Sequence, residues 1–220
     1  MRLHNVEQGS GDWMMIRCGI PTASEFHKIL TPTGKLSAQS EDYGNRLIAE
    51  RITGKPEEDF GGSKWTDRGK ELEPFAVKFY EVQNDVETVA VGFCTNDEGT
   101  IGASPDRLVG EDGLLEIKCP APHTHVEYMT KQEVDKGYWP QIQGQLYVTG
   151  RKWVDWMSYH PEMPPVVIRV ERDEEYIKKL ADCLAAFNTI LEEKRKRIIS
   201  LGYTAPNLNY NRVTGEVYAA

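Results

Sequence analysis

Apolar side chains recur at helical spacing in three stretches of the chain. Tyr43, Leu47, Ile48 and Ile52 follow Ser40 and stop at Gly54, which predicts a helix with a glycine end. Leu72, Phe75, Phe79 and Val82 mark a second helix over 66–82, with Pro74 either kinking it or marking its true start and Glu73 beside that point. Ile177, Leu180, Leu184, Phe187 and Leu191 form the apolar stripe of a long helix from about Glu174 to Ser200. Residues 55–64 read as a loop, and shorter helices are expected near 125–135 and 139–148. The segments 86–94, 99–103, 106–110, 114–118, 153–159 and 166–171 read as strands. That order describes an α/β layout with a largely consecutive central sheet. From about residue 202 the chain is polar and aromatic without period, a tail that needs another surface to be ordered.

Composition narrows the class. With 220 residues, 40% hydrophobic and 27% charged, the chain can bury one sizeable core, and no linker-like stretch divides it, so 1–220 is expected to be a single domain. There is no apolar run near the roughly eighteen residues of a membrane span and no charged-then-apolar leader, so a cytoplasmic protein is expected. Cys18, Cys94, Cys119 and Cys183 are far apart, which argues against a zinc ribbon, an iron–sulfur cluster or a disulfide framework and for buried free thiols. The net charge of -8 argues against a nonspecific nucleic-acid coat. Contact with nucleic acid would have to be locally basic or mediated by metal ions.

One stretch concentrates charge at meaningful spacing: "ASPDRLVGEDGLLEIKCP", residues 103–120. Glu111-Asp112-Gly113 reads as a three-residue hairpin loop whose last position suits a left-handed glycine. In that register Asp106 lies opposite Lys118, and Glu116 and Lys118, two apart on a strand, point to the same face. A loop of two or four residues would send Asp106 to the far side. Taken alone, the three side chains are either one site or a cross-strand ion pair on a surface hairpin.

A second candidate lies near the start. Thr22 and Glu25 have capping-box spacing, so Thr22 is expected to cap a helix beginning at Ala23 with Ser24 in its first turn. A helix amino terminus offers unpaired N–H groups to an anion, and Arg17 is a short loop away. A phosphate is one such anion. Alternatively, Arg17 is a loop arginine pairing with Asp12 or Glu25.

The order of these parts matters. A helix carrying Glu73, a hairpin carrying Asp106, Glu116 and Lys118, then a helix carrying Gln141 and Gln143 follow the sequence of the PD-(D/E)XK nuclease core. "DWMMIRCGIPTASEF", "RGKELEPFA", "ASPDRLV", "LEIKCP" and "QIQGQLYVTG" together resemble, in order and spacing, the phage lambda-type alkaline exonucleases, over residues 12 to about 150. That resemblance implies a central mixed sheet flanked by helices and a metal-dependent nuclease. Asp106 and Glu116, with the backbone carbonyl of Ile117, would hold two magnesium ions, with manganese as a substitute. Lys118 would position the attacking water and lower its pKa, or neutralise the scissile phosphate. Glu73 would hold a metal-bound water or the second ion, unless it only solvates a helix face. Arg17, Ser24, Ser104 and Gln141 would grip a 5′-terminal phosphate.

From the same resemblance the chain is expected to digest one strand of linear duplex DNA 5′ to 3′ as a ring-shaped homotrimer, working with a single-strand annealing protein. A ring would let basic residues face the DNA while acidic ones face solvent; Lys35, Lys64, Arg68, Lys70, Lys131 and Lys136 are the candidates. Trp65 would stack on a base, wedge the duplex, or anchor its helix in the core. A restriction or branch-resolving endonuclease shares the catalytic residues but needs no Arg17 and Ser24 pocket and cuts closed circles. A noncatalytic DNA-binding module is hard to square with an intact Asp106, Glu116 and Lys118 set. The His123-x-His125 pair lacks a companion ligand for zinc, and the Glu192–Arg197 run is ordinary helix-end electrostatics.

Overall fold

The computed structural model describes residues 1–57, 64–203, 211 and 213–215, with 64–67 given by backbone alone. Most of the tail from 202, and the side chains of Lys64 and Trp65, lie outside the described residues. The helices are α1 (Gly11–Arg17), α2 (Ser40–Thr53), α3 (Lys64–Asn84), α4 (Pro122–Lys131), α5 (Trp139–Thr149) and α6 (Glu174–Ser200). Strands are β1 (Arg2–His4), β2 (Thr88–Ala90), β3 (Phe93–Thr95), β4 (Gly102–Ala103), β5 (Arg107–Val109), β6 (Gly113–Lys118), β7 (Trp153–His160) and β8 (Met163–Glu171). Among the described residues no helix is long and apolar enough to cross a membrane.

The expected helix ends hold at α2, which stops at left-handed Gly54, and at α6, where the Asp173 side chain accepts from Tyr176 N–H. Pro74 does not start α3; the helix runs through it from Lys64. Two elements carried too little periodicity to be read: α1, capped by Ser10, and β1. The four cysteines are in no disulfide among the described residues, but only Cys18 and Cys94 are buried; Cys119 and Cys183 are half-buried.

The sheet is less consecutive than expected. The central sheet has the order β2-β5-β6-β7-β8, with β6 and β7 parallel and the other pairs antiparallel. The single strand expected over 86–94 is broken, because β3 leaves to join β1 and β4 in a small second sheet. Gly92 makes the break possible: a Cβ there would lie 1.9 Å from the backbone oxygen of Val6. Strand β6 is covered on both faces, which explains its near-continuous apolar run. Leu114 packs into the main core with Trp156, Leu146 and the inner face of α6, while Leu115 and Ile117 pack with Ala76, Val77 and Tyr80 of α3. Glu116 and Lys118 share the face of Leu114 by strand alternation, so a buried carboxylate is carried into the main core side.

Candidate active site

The hairpin between β5 and β6 turns one residue earlier than its sequence predicts. Val109 pairs with Gly113, Leu108 with Leu114 and Arg107 with Leu115, leaving Gly110-Glu111-Asp112 as the loop and Gly110 at φ +52°. Gly113 is needed inside the strand, where a Cβ would lie 2.1 Å from the Trp153 ring. Moving a three-residue loop by one position shifts the register by two. Asp106, one residue before β5, therefore comes level with Glu116 rather than Lys118, and because the shift is even all three still share a face.

Asp106 Oδ2 accepts the Ile117 N–H at 2.6 Å. Glu116 is 3% exposed, and its oxygens are fully addressed: Oε1 accepts from Lys118 Nζ at 2.5 Å and from Gln141 Nε2 at 2.7 Å, Oε2 from Gln145 Nε2 at 2.6 Å. Lys118 Nζ also lies 5.1 Å from the centre of the Tyr138 ring. Burial, and then the Glu116 charge, push the Asp106 carboxyl well above the usual carboxylate range, with Lys118 pulling it back only in part. Burial alone would lower the Lys118 ammonium, but Glu116 and Asp106 outweigh it and raise its pKa above the ordinary lysine value. Two acids thus face one base at the end of β6. Glu73, on α3, is paired with Arg107 at 3.4 Å, is 35% exposed, and adds a further negative charge to the field at Asp106.

Among the described residues no three His, Cys, Asp or Glu side chains converge as a ready-made metal site. The carboxylate oxygens of half-buried Asp106 and buried Glu116 still suit a hard divalent cation, which would favour the ionised form of Asp106 that burial and Glu116 disfavour. Asp106 and Glu116 are the carboxylates that could hold it. The histidine pair does not form a zinc site. His123 is exposed, whereas buried His125 has Nδ1 on Ser158 Oγ at 2.7 Å and Nε2 on the Pro164 carbonyl at 3.0 Å.

The amino-terminal group is built differently from the expected helix cap. Ala23–Lys28 is a six-residue 3-10 helix, the Thr22 side chain makes no cap bond, and Glu25 pairs forward with Lys28 instead of reaching back. Thr22 Oγ1 is taken by Arg17, whose Nη2 donates to it at 3.3 Å and to Ser24 Oγ at 3.2 Å. The bonds of Arg17 run to these hydroxyls and not to Asp12 or Glu25. Its guanidinium lies 3.8 Å from the centre of the Trp13 ring, and burial lowers its pKa to about 10, which leaves it charged at neutral pH. Trp13 in turn donates Nε1 to Ser104 Oγ at 2.9 Å and to the Gly92 carbonyl at 3.1 Å.

One indole therefore links Arg17 to Ser104, two residues before Asp106. Thr22 bridges to Gly102 of β4, with Gly102 N–H on the Pro21 carbonyl at 3.0 Å, which holds the two segments together. On the other side, Gly144 lets α5 approach the 3-10 helix; a Cβ there would lie 2.4 Å from the Phe26 ring. Ser24 and Gln141 consequently line one cleft of about 370 Å³ with Tyr138, His27 and Asp135. Gln141 stands at the junction, with its nitrogen on Glu116 and its side chain in that cleft.

Three contributors escaped the sequence reading: Trp13, Tyr138 and Gln145. Two had an available signal, since Trp13 is four residues before Arg17 and Gln145 four after Gln141, one helical turn in each case. Gln143, named with Gln141 in the sequence, points elsewhere, donating to the Glu171 carbonyl at 3.0 Å and accepting from Asp173 N–H at 2.9 Å. Lys35, Lys70, Lys131 and Lys136 are exposed, and Arg68 donates to the Pro120 carbonyl at 2.8 Å.

A family model described as a YqaJ-like viral recombinase domain matches residues 12–152. No curated protein matches the chain. Among solved structures, an alkaline exonuclease from Laribacter hongkongensis is similar at 33% identity over 88% of this chain and all of its own, with a TM-score of 0.78. The same exonuclease in complex with dAMP is similar at 32% identity over 87% of this chain and all of its own, again with a TM-score of 0.78. A phage-related exonuclease from Haemophilus somnus shares the fold, at 18% identity over 84% of this chain and 96% of its own, with a TM-score of 0.63.

Proposed function

The chain belongs to the family of YqaJ-like viral recombinase domains, and from that premise we propose that it is a phage-type alkaline exonuclease acting 5′ to 3′ on one strand of linear duplex DNA. The observation that carries the reading is the adjacency of two differently charged groups. A carboxylate pair with one lysine lies at the end of β6, and Gln141, which donates to Glu116, lines a cleft with Ser24, whose hydroxyl accepts from Arg17. A cation-seeking group beside an anion-seeking one suits a phosphodiester next to a terminal phosphate.

In this reading Arg17, Ser24, Ser104 and Gln141 hold the 5′-phosphate by charge-assisted and hydroxyl hydrogen bonds. Asp106, Glu116 and the Ile117 carbonyl would hold two magnesium ions, which when bound would supply charge for the leaving oxygen and lower the pKa of water. Lys118, kept protonated by its two acidic neighbours, donates from Nζ to the attacking water or to the scissile phosphate. Glu73, paired with Arg107, would hold a metal-bound water or the second ion. Tyr138 and the core wall around Trp156 exclude bulk solvent from this end of β6. The relative crystallised with dAMP binds a deoxynucleoside monophosphate, the class of product such a cut releases. A homotrimeric ring reconciles a net charge of -8 with an anionic substrate by segregating the basic residues to a channel. The exposed single strand would pass to an annealing protein for recombination.

The test compares linear duplexes bearing 5′-phosphate or 5′-hydroxyl ends with a closed circle, in magnesium and in chelator. Phosphorylated linear DNA should be digested fastest, only with metal, and the circle should survive. Cutting of the circle at a comparable rate would replace the exonuclease by an endonuclease.

A further inference from the structure

Gln145 sits one turn after Gln141 on α5, and both amides reach Glu116. Their situations differ. Gln141 is half-buried, lines the cleft, and shares Glu116 Oε1 with Lys118. Gln145 is 1% exposed and supplies the hydrogen bond to the other oxygen, Oε2, at 2.6 Å. Its own Oε1 is buried without a hydrogen-bond partner among the described residues. An unsatisfied amide oxygen in a core is destabilising, and an apolar side chain of similar shape would avoid it. The visible return for that cost is a short, charge-assisted N–H donated to the innermost carboxylate oxygen of the site.

We propose that Gln145 is a positioning residue for the cation site, setting the plane of the Glu116 carboxylate through Oε2 while touching neither metal nor DNA. A carboxylate turns about its last bond unless both oxygens are addressed. Lys118 and Gln141 hold Oε1 from the cleft side, and only a donor from inside the core can fix the second oxygen. Such outer contacts orient a metal-ligating group, and their loss typically weakens metal binding or activity by about 10- to 100-fold. The inference rests on the reading of Asp106 and Glu116 as cation ligands. Gln143 supplies the contrast: it is equally buried on the same helix, but both ends of its amide brace the β8–α6 junction.

The experiment measures manganese binding to the whole chain by titration calorimetry without DNA, alongside melting temperature, for Gln145→Met, Gln143→Met and Glu116→Gln. Gln145→Met should bind manganese about 10- to 100-fold more weakly and melt close to the parent. Its digestion should need proportionally more metal and recover near-parent turnover at saturation. Gln143→Met should melt lower with manganese affinity unchanged. Gln145→Asn, which withdraws the amide by one methylene but stays polar, should weaken binding likewise, and it carries the test if the methionine variant does not fold. Parent-like manganese affinity in the Gln145 variants, with Glu116→Gln deficient, overturns the positioning role alone. Parent-like affinity in Glu116→Gln overturns the ligand reading beneath it.

Discussion

Replacing Lys118 by methionine probes the charge balance on which the site depends. Its ammonium meets Glu116 Oε1 at 2.5 Å, and the two side chains are 23% and 4% exposed. Removing one partner of a buried pair typically costs about 3–5 kcal/mol, because the remaining charge stays out of water without its counter-charge. Here two amides still address Glu116, at 2.7 and 2.6 Å, and Lys118 is partly in solvent. The lower figure, about 3 kcal/mol, is therefore the expectation. For a chain of this size each kcal/mol moves the melting temperature by about 2–4 °C, so a fall of about 6–12 °C is predicted.

The pH dependence of that fall has a definite sign. Asp106 already has a raised pKa in the folded state, and Lys118 is one of the groups restraining it. Without the lysine it rises further. A group with a raised folded pKa contributes stability that is full below its unfolded value, near 4, and is lost as pH rises through the folded one. The Lys118→Met deficit should therefore be smallest near pH 4–5 and largest near pH 8. Calcium, added without DNA, should restore more of the melting temperature in the variant than in the parent. DNA digestion should be abolished while end binding persists. Differential scanning fluorimetry across pH, with and without calcium, is the assay. A variant melting within about 2 °C of the parent at alkaline pH, or a deficit that grows on acidification, would refute the reasoning.

Three further outcomes are expected. Arg17→Ala should reduce the preference for phosphorylated over hydroxyl 5′ ends by roughly tenfold to hundredfold, the loss of about 1.5–3 kcal/mol of charged hydrogen bonding; equal slowing on both ends, with a lowered melting temperature, would mark the arginine as a brace. Asp106→Asn should abolish digestion yet raise the melting temperature of the metal-free protein near pH 8, with the gain fading toward pH 4, because it removes a half-buried charge set against Glu116; a destabilised variant at high pH would contradict the electrostatics. Gly113→Ala should cost about 1–3 kcal/mol, since its methyl would meet the Trp153 ring, and should depress activity beyond what thermal unfolding explains; a parent-like melting curve would show that the strand tolerates the shift.

What the sequence made legible was governed by periodicity and parity. α6 and α2 were readable because five and four apolar positions recur at helical spacing and end at clear caps. The shared face of Asp106, Glu116 and Lys118 survived an error in the loop, because a two-residue register shift leaves strand faces unchanged. The loop itself was misplaced because either Gly110 or Gly113 could take the left-handed position, and only the Trp153 ring, forty residues away, decides between them. The cap at Thr22 failed for a similar reason. Its hydroxyl is claimed by Arg17, a tertiary competitor that local spacing does not reveal. Gln145 and Trp13 lay one turn from residues already named, but a glutamine or tryptophan on a helix is ordinary until its partner across the fold is known.

The Trp13 indole has one more consequence. It supports Arg17 on its face and holds Ser104 by its nitrogen, and Ser104 is joined through Pro105 to Asp106. In the proposed reading, the interval between the gripped end and the bond to be cut is then a fixed gauge made of one rigid ring and a two-residue stretch of backbone. Stride length becomes a property of the scaffold and not of the substrate: whatever base arrives, the same single step is measured off, and the new end falls back against the same stop.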